Sequence, residues 1–527
     1  MKRLLAILLT CLLLLGAVPA LAVDAGTIVY PIEDDPQQMD PTLNSYSRSS
    51  MVLQQLFRGL YKLAPNGNEY VPCMAESYTQ SEDLKTYTFK LKADLKFSDG
   101  SPLTAHDFEY SWKRVLNPET ASKCNSDLWV LKNGKAYAKG EMTVDQVGVK
   151  ALDDLTLEVT TENLCPWFLS LTATTSYFPV KKAVVEAAEP WTKSAATYVS
   201  NGPYMLSDIS PLEHVKMVKN PNYVDADQVS IENLNYVIIS DQATELTAYN
   251  NGDINVSDNL SPDAVAQYRD TPEFFALGRI GIQYSDFNCE SPEFSDKRVR
   301  QAFSMSIDRN AIVTALRIAD TPVFGFIPYS QKSLSDPTKT YREVAGDMIV
   351  EDVPAAKALM AEAGYPDGAG FPTIKIVAQA NNEQKLYAQM IGEMWKTNLG
   401  VNYEIITYES ATYWDELDQG NFSVDRNAFT CDYLDPVANL NIFTTGSNAY
   451  ENRWDDPAYD EMITAANQMT DQVEREKALI AAEKYVADLM PVMPVYSMMD
   501  TFLVKPGLTG VIKNPIGHIN FEYAKFE

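Results

Sequence analysis

The chain has 527 residues, a formal net charge of −28 and 46% hydrophobic residues. That length exceeds what one compact core fills and calls for two or three lobes. The composition excludes a disordered chain, and the acidity excludes a nucleic-acid partner and any electrostatic pull toward anionic lipid.

The first segment, MKRLLAILLTCLLLLGAVPALA, carries Lys2 and Arg3, an apolar run from Leu4 to Val18, and the small-x-small ending Ala20-Leu21-Ala22. It reads as a signal peptide over 1–22, removed on export, since the run is short for a bilayer span. Cys11 falls too early in the run to suit lipid attachment. Then TIVYP, from Thr27, predicts a short strand, and SSMVLQQLFRGLYKL predicts a helix through Met51, Leu53, Leu56, Phe57 and Leu60. KTYTFKLKADLKF alternates, with Tyr87, Phe89 and Leu91 on one face of a half-buried strand. LTAHDFEYSWKRVLNP predicts a helix capped by Thr104 and stopped at Asn117-Pro118, and DDLTLEVTT predicts another strand. After about residue 280 the pattern changes. SDKRVRQAFSMSIDRNAIVTALR predicts one long amphipathic helix or a helix pair, and VPAAKALMAEAGYP a helix ending at Gly364. TIKIVAQ, NEQKLYAQMIGEMWKTNLG and VNYEIITY together predict a βαβ unit with parallel strands. TDQVEREKALIAAEKYVADLMP predicts a helix that stops before Pro491.

Five cysteines remain after cleavage, with no CxxC pair, and His106, His214 and His518 lie far apart without an HExxH arrangement. These counts give no reason to expect a metal, a cofactor or histidine-based nucleophilic catalysis. One acidic residue stands out. In NAFTCDYLDP, Asp432 sits among Phe429, Cys431, Tyr433 and Leu434, and a carboxylate in apolar surroundings needs a partner. A catalytic acid, a structural ion pair or helix cap, and a socket for a cationic ligand all fit the residues alone.

Several longer stretches carry a resemblance. AESYTQSEDLKTYTFKLKADLKFSDGSPLTAHDFEYSWKR (75–114), NGPYML (201–206), NPNYVDAD (220–227), DKRVRQAFSMSIDRNAIV (296–313) and DYLDPVANLNIFTTGSNAYENRW (432–454) resemble, in order, the extracellular solute-binding proteins of the peptide and nickel transport family (family 5). The nearest resemblance within it is to oligopeptide-binding proteins of ABC importers. It implies an α/β, periplasmic-binding-protein-like fold of class II, three-lobed type, with the ligand cleft between two α/β lobes and an extra lobe beside them. The expected division is 23–57, 199–280 and 497–527 for lobe I, 58–198 for lobe II, and 281–496 for lobe III.

The resemblance further implies that Asp432 pairs with a peptide's α-ammonium group, flanked by Cys431 and Tyr433. Arg426 falls on a family arginine that meets the carboxylate end of short peptides, an ordinary salt bridge being the alternative. Phe429 and Trp414 fall on or near pocket tryptophans, and Ser45 and Ser47 on a segment whose backbone pairs with the ligand. Ser45 replaces an acidic residue and Cys124 a tyrosine of some relatives, which changes the pocket. Cys289 and Cys431 both fall near cleft-lining segments, and export permits oxidation, so a disulfide between them is the hypothesis and buried free thiols the alternative.

The function implied is the binding component of an ABC importer, a monomer that captures small peptides in an extended conformation and hands them to a permease and ATPase complex. Location is expected in the periplasm or at the extracytoplasmic surface. The alternative within the family is an oligosaccharide or a metal complex. An enzyme is disfavoured: with 71 acidic residues, carboxylate pairs arise by chance, and no GxSxG turn is present.

Overall fold

The computed structural model describes residues 26–527 except 66, 68, 188–189, 318–319, 432, 446 and 448–452. The signal-peptide segment, Cys11 and Asp432 lie outside the described residues.

The first strand, Thr27–Ile32, pairs in parallel with Asn233–Ile238 at the edge of a four-stranded sheet completed by His214–Lys219 and Tyr204–Ser210. The helix expected next is shorter than its apolar spacing suggests. It covers Ser47–Leu56, and Tyr61–Leu63 is already a strand. The cause lies at Gly59, where a Cβ would stand 1.8 Å from the carbonyl oxygen of Thr172. The chain leaves the helix to press its backbone against that neighbour, which only glycine permits.

A second four-stranded sheet, antiparallel, is ordered Ala75–Gln80, Thr86–Leu91, Thr156–Thr160, Val149–Asp153. Tyr87, Phe89 and Leu91 are its buried alternation, as the sequence predicts. The helix Ala105–Leu116 packs on it, its start fixed by the Asp107 carboxylate, which accepts from the Thr104 backbone N–H at 2.8 Å.

Beyond residue 280 the expected helix pair is present as Lys297–Met305 and Arg309–Leu316. Asp308 caps the second helix by accepting from Ala311 N–H, and fully buried Arg309 donates to the carbonyls of Ser304 and Pro494. Strand Ile374–Gln379, helix Asn382–Leu399 and strand Tyr403–Tyr408 form the predicted parallel βαβ unit. The helix Gln472–Leu489 ends at Met490, whose φ is +48°.

Two large hydrophobic clusters result. One takes residues from Ile28 to Tyr236, then Val256 and residues between Phe502 and Ala524; the other runs from Ile282 to Tyr496. The C-terminal tail is tied to the first cluster by ion pairs: buried Glu522 accepts from Arg58 at 2.8 Å and Lys62 at 2.5 Å. Burial works to raise the Glu522 carboxyl, but those two cations outweigh it and hold it below its ordinary range. Two long antiparallel strands, Phe274–Asp286 and Val492–Val504, run from one cluster into the other. Their ladder is interrupted between Gly278 and Ile282, so residues 279–281 bulge out of register.

Candidate functional site

Beside that bulge lies a cavity of about 570 Å³. Its walls come from distant parts of the chain: Asn44–Ser47, Cys124, Trp167, Arg279, Thr430–Cys431 with Tyr433, and Asn514–His518. Each wall is held by local chemistry. The Asn44 side chain donates to Ser50 Oγ at 2.8 Å and accepts from Tyr46 N–H at 3.0 Å, fixing the turn that presents Ser45 and Ser47. The Thr42 carbonyl accepts from the Ser122 hydroxyl at 2.7 Å and the Cys124 thiol at 3.5 Å, which ties the N-terminal segment to the loop below it. Cys431 donates its backbone N–H to Ile280, and Ile280 donates to Pro515, so the bulge joins the Cys431 segment to the tail.

Tyr433 stacks on Trp167 with ring centroids 5.4 Å apart and planes 11° apart, and the Arg475 guanidinium lies 5.4 Å over the same tryptophan. Arg475 also donates twice, at 2.8 Å, to Asp435. Asp435 in turn accepts from Val437 N–H and starts the helix Val437–Asn441. The helix-capping and ion-pairing tasks of the DYLDP stretch thus fall to Asp435. A second cavity, about 730 Å³, shares Trp167 and Val130 with the first and opens toward Lys135, Lys139 and the end of the helix Pro457–Asn467.

Of the residues singled out in the sequence, Ser45, Ser47, Cys431 and Tyr433 line the first cavity. Arg426, Phe429 and Trp414 are not among its lining residues. Arg426 pairs with Glu383, donates to Tyr496 Oη at 2.6 Å and lies over the Tyr387 ring. Phe429 is half-buried opposite Ile282, and Trp414 is exposed on the helix Ser410–Asp418, edge-on to Tyr413. Trp167, Arg279, Asn514 and His518 were not singled out; nothing in their local spacing separates them from packing residues, and the tail meets the cavity only through tertiary contacts.

The hypothesised disulfide is not formed: Cys289 and Cys431 are unbridged. Cys431 stands abreast of Ile280, while Cys289 lies beyond the far end of that strand at Asp286. Six strand residues span roughly 20 Å, far more than a disulfide reaches. Burial pushes the thiols of Cys73, Cys124 and Cys289 up to about 11, so they stay protonated at neutral pH and are poor nucleophiles.

Near Arg426, Asp320 accepts from the Met499 N–H at 2.7 Å. Burial pushes this carboxyl up to about 7, with that hydrogen bond opposing and Glu383 adding to the rise. The folded state therefore favours the protonated form. The contribution of this group is greatest below the unfolded value and is lost as pH rises through 7. Asp320→Asn should stabilise the protein more at about pH 8 than at about pH 5, by a difference on the order of 1–3 kcal/mol. Urea denaturation at both pH values measures this; an equal effect at both would disprove the protonated assignment.

Two large hydrophobic clusters joined by continuous strands, with a cavity beside the junction, make the kind of concave site that binds a solute. Residues 69–451 match the family described as "Bacterial extracellular solute-binding proteins, family 5 Middle", and the chain belongs to that family. It is 32% identical over 501 residues to the periplasmic oligopeptide-binding protein OppA of Escherichia coli, covering 93% of this chain and 90% of that one. Among solved structures it resembles the Escherichia coli murein tripeptide binding protein MppA, with 30% identity, a TM-score of 0.78, and coverage of 96% and 99% of the two chains. It also resembles Haemophilus influenzae OppA in complex with RPPGFSPFR, with 27% identity, a TM-score of 0.76, and coverage of 95% and 99%. The periplasmic-binding-protein-like α/β fold expected from the sequence is the fold of these structures. Among the described residues no helix is long and apolar enough to cross a membrane.

Proposed function

We propose that this chain is the exported receptor of an ABC importer, a monomer that captures oligopeptides as extended strands and delivers them to a membrane permease with its ATPase. The observation that carries this reading is the cavity that gathers Ser45 and Ser47 from the N-terminal segment with Cys431 and Tyr433, the two neighbours of Asp432 in sequence. Backbone at such a wall binds peptide main chain whatever the side chains, which gives affinity without sequence selection. Asp432 is assigned to the peptide's α-ammonium group. Asp435 already serves as cap and ion-pair partner in this stretch, which leaves Asp432 for the ligand. Lobes I and III, with the boundaries given above, close by bending the two long strands, and lobe II supplies Cys124 and Trp167. Arg426, Phe429 and Trp414 are assigned to the outer part of the cleft, where Arg426 reaches a ligand carboxylate by exchanging its bond to Glu383. No catalytic step is assigned to the site.

The test is the identity of the bound solute. Protein purified from an exporting host and denatured should release peptides detectable by mass spectrometry. Release of an oligosaccharide or a metal complex in stoichiometric amount, with no peptide, would overturn the reading.

A further inference from the structure

The tail side of the cavity holds polar groups that the reading above leaves without a task. Arg279 stands in the bulge, where the ladder to Val492–Val504 is broken, so its side chain turns toward the cavity instead of along the sheet. Its guanidinium packs against the turn Asn514–His518. That turn is closed by Asn514 N–H donating to the His518 carbonyl at 2.8 Å and by His518 N–H donating to Asn514 Oδ1 at 2.7 Å. Gly517 supplies the φ of +90° that the turn needs, and Arg279 Nη2 would lie in ordinary contact, 3.4 Å, with a Cβ built there.

Among the described residues Arg279 is incompletely neutralised: its carboxylate neighbour there, Asp500, stands 3.8 Å away and is shared with Lys513 at 3.5 Å. Arg279 Nε and His518 Nδ1 are both buried without a hydrogen-bond partner among the described residues. Burial, then Arg279 and Lys513, push the His518 imidazole down to about 4, so the ring is neutral at physiological pH and one of its nitrogens is a donor. An arginine fork and a neutral imidazole beside an amide form a donor set suited to a carboxylate, and the buried atoms left unpaired among the described residues point to an incoming acceptor.

We propose that Arg279, His518 and Asn514 form a carboxylate-binding subsite on this wall, so that the cleft prefers peptides bearing an acidic group there. The proposal rests on the peptide-receptor reading and names a substrate class within it. The acidic group is either a Glu or Asp side chain or the terminal carboxylate of a short peptide.

Calorimetric titration of synthetic tetrapeptides tests it. The set is an all-alanine parent, three peptides with Glu at the first, second or third position, their Gln counterparts, and the C-terminal amide of each. Wild-type protein should bind one acidic peptide more tightly than its neutral counterpart by roughly tenfold or more. A Glu/Gln difference identifies a side chain as the source, and an acid/amide difference identifies the terminus. Arg279→Gln should abolish that preference, weakening the acidic peptide at least about tenfold more than its neutral counterpart. His518→Gln, which leaves the Arg279–Asp500 pair in place, should reduce the preference with the neutral counterpart weakened less than the acidic peptide. Tight binding with no acid preference, or equal weakening of both members of the pair by Arg279→Gln, overturns the subsite alone. Absence of binding by every peptide overturns the subsite and the peptide reading together.

Discussion

Replacing Asp432 by Asn should weaken binding of peptides with a free amino terminus at least about a hundredfold. The substitution keeps size and shape and removes only the charge. If a closed cleft holds an α-ammonium group against this carboxylate, the variant leaves a desolvated cation without its counter-charge. Truncating one member of such a pair costs roughly 3–5 kcal/mol, and each 1.4 kcal/mol is about a decade of affinity. An N-acetylated peptide has no cation to offer. It should bind wild type poorly and lose little more in the variant. The double comparison separates a ligand socket from a structural role, because a structural aspartate would weaken both ligands alike or unfold the chain. Titration of both peptides into both proteins is the measurement, and equal wild-type affinity for the free and acetylated forms would refute the assignment.

Legibility in the sequence followed the range of the interaction responsible. Elements set by local periodicity and caps were readable: the alternation of Tyr87, Phe89 and Leu91, the start at Thr104, and the βαβ unit over 374–408. The helix at Ser47 is shorter than its periodicity predicts because the chain beyond it is set by Gly59 meeting Thr172, a contact across more than a hundred residues. The same limit applies to the cleft. Ser45, Ser47, Cys431 and Tyr433 were reachable because their stretches resemble a family pattern. Arg279 and His518 were not, since a strand bulge and a tail turn bring them to the cavity and neither leaves a periodic trace. The expected disulfide failed for a related reason. Nearness of two segments to one cleft does not fix the distance between two thiols, and here a length of strand separates them.

Arg475→Met should destabilise the fold by about 3–5 kcal/mol, among the largest single-residue effects outside the apolar core. Arg475 and Asp435 are 0% and 5% exposed at their side chains and are joined by two 2.8 Å bonds. Removing the guanidinium strands the Asp435 carboxylate in a site water does not reach. Asp435→Asn strands the cation instead, though Asn retains the oxygen that caps Val437. The double variant leaves no uncompensated charge, so its cost should fall short of the sum of the two singles by about 1–3 kcal/mol. Salt should change these values little, because a buried pair is weakly screened. The pair also sets the cavity floor: Arg475 lies over Trp167, on which Tyr433 stacks. Peptide affinity in Arg475→Met should therefore drop even where the protein is fully folded, since Trp167 loses the cation that holds its outer face. Urea denaturation of the four proteins in the cycle, together with titration of one peptide into each, decides between the alternatives. Strict additivity of the stabilities would show that the two charges do not act as a pair, and unchanged peptide affinity in Arg475→Met would show that the pair fastens the lobe with no part in shaping the cleft.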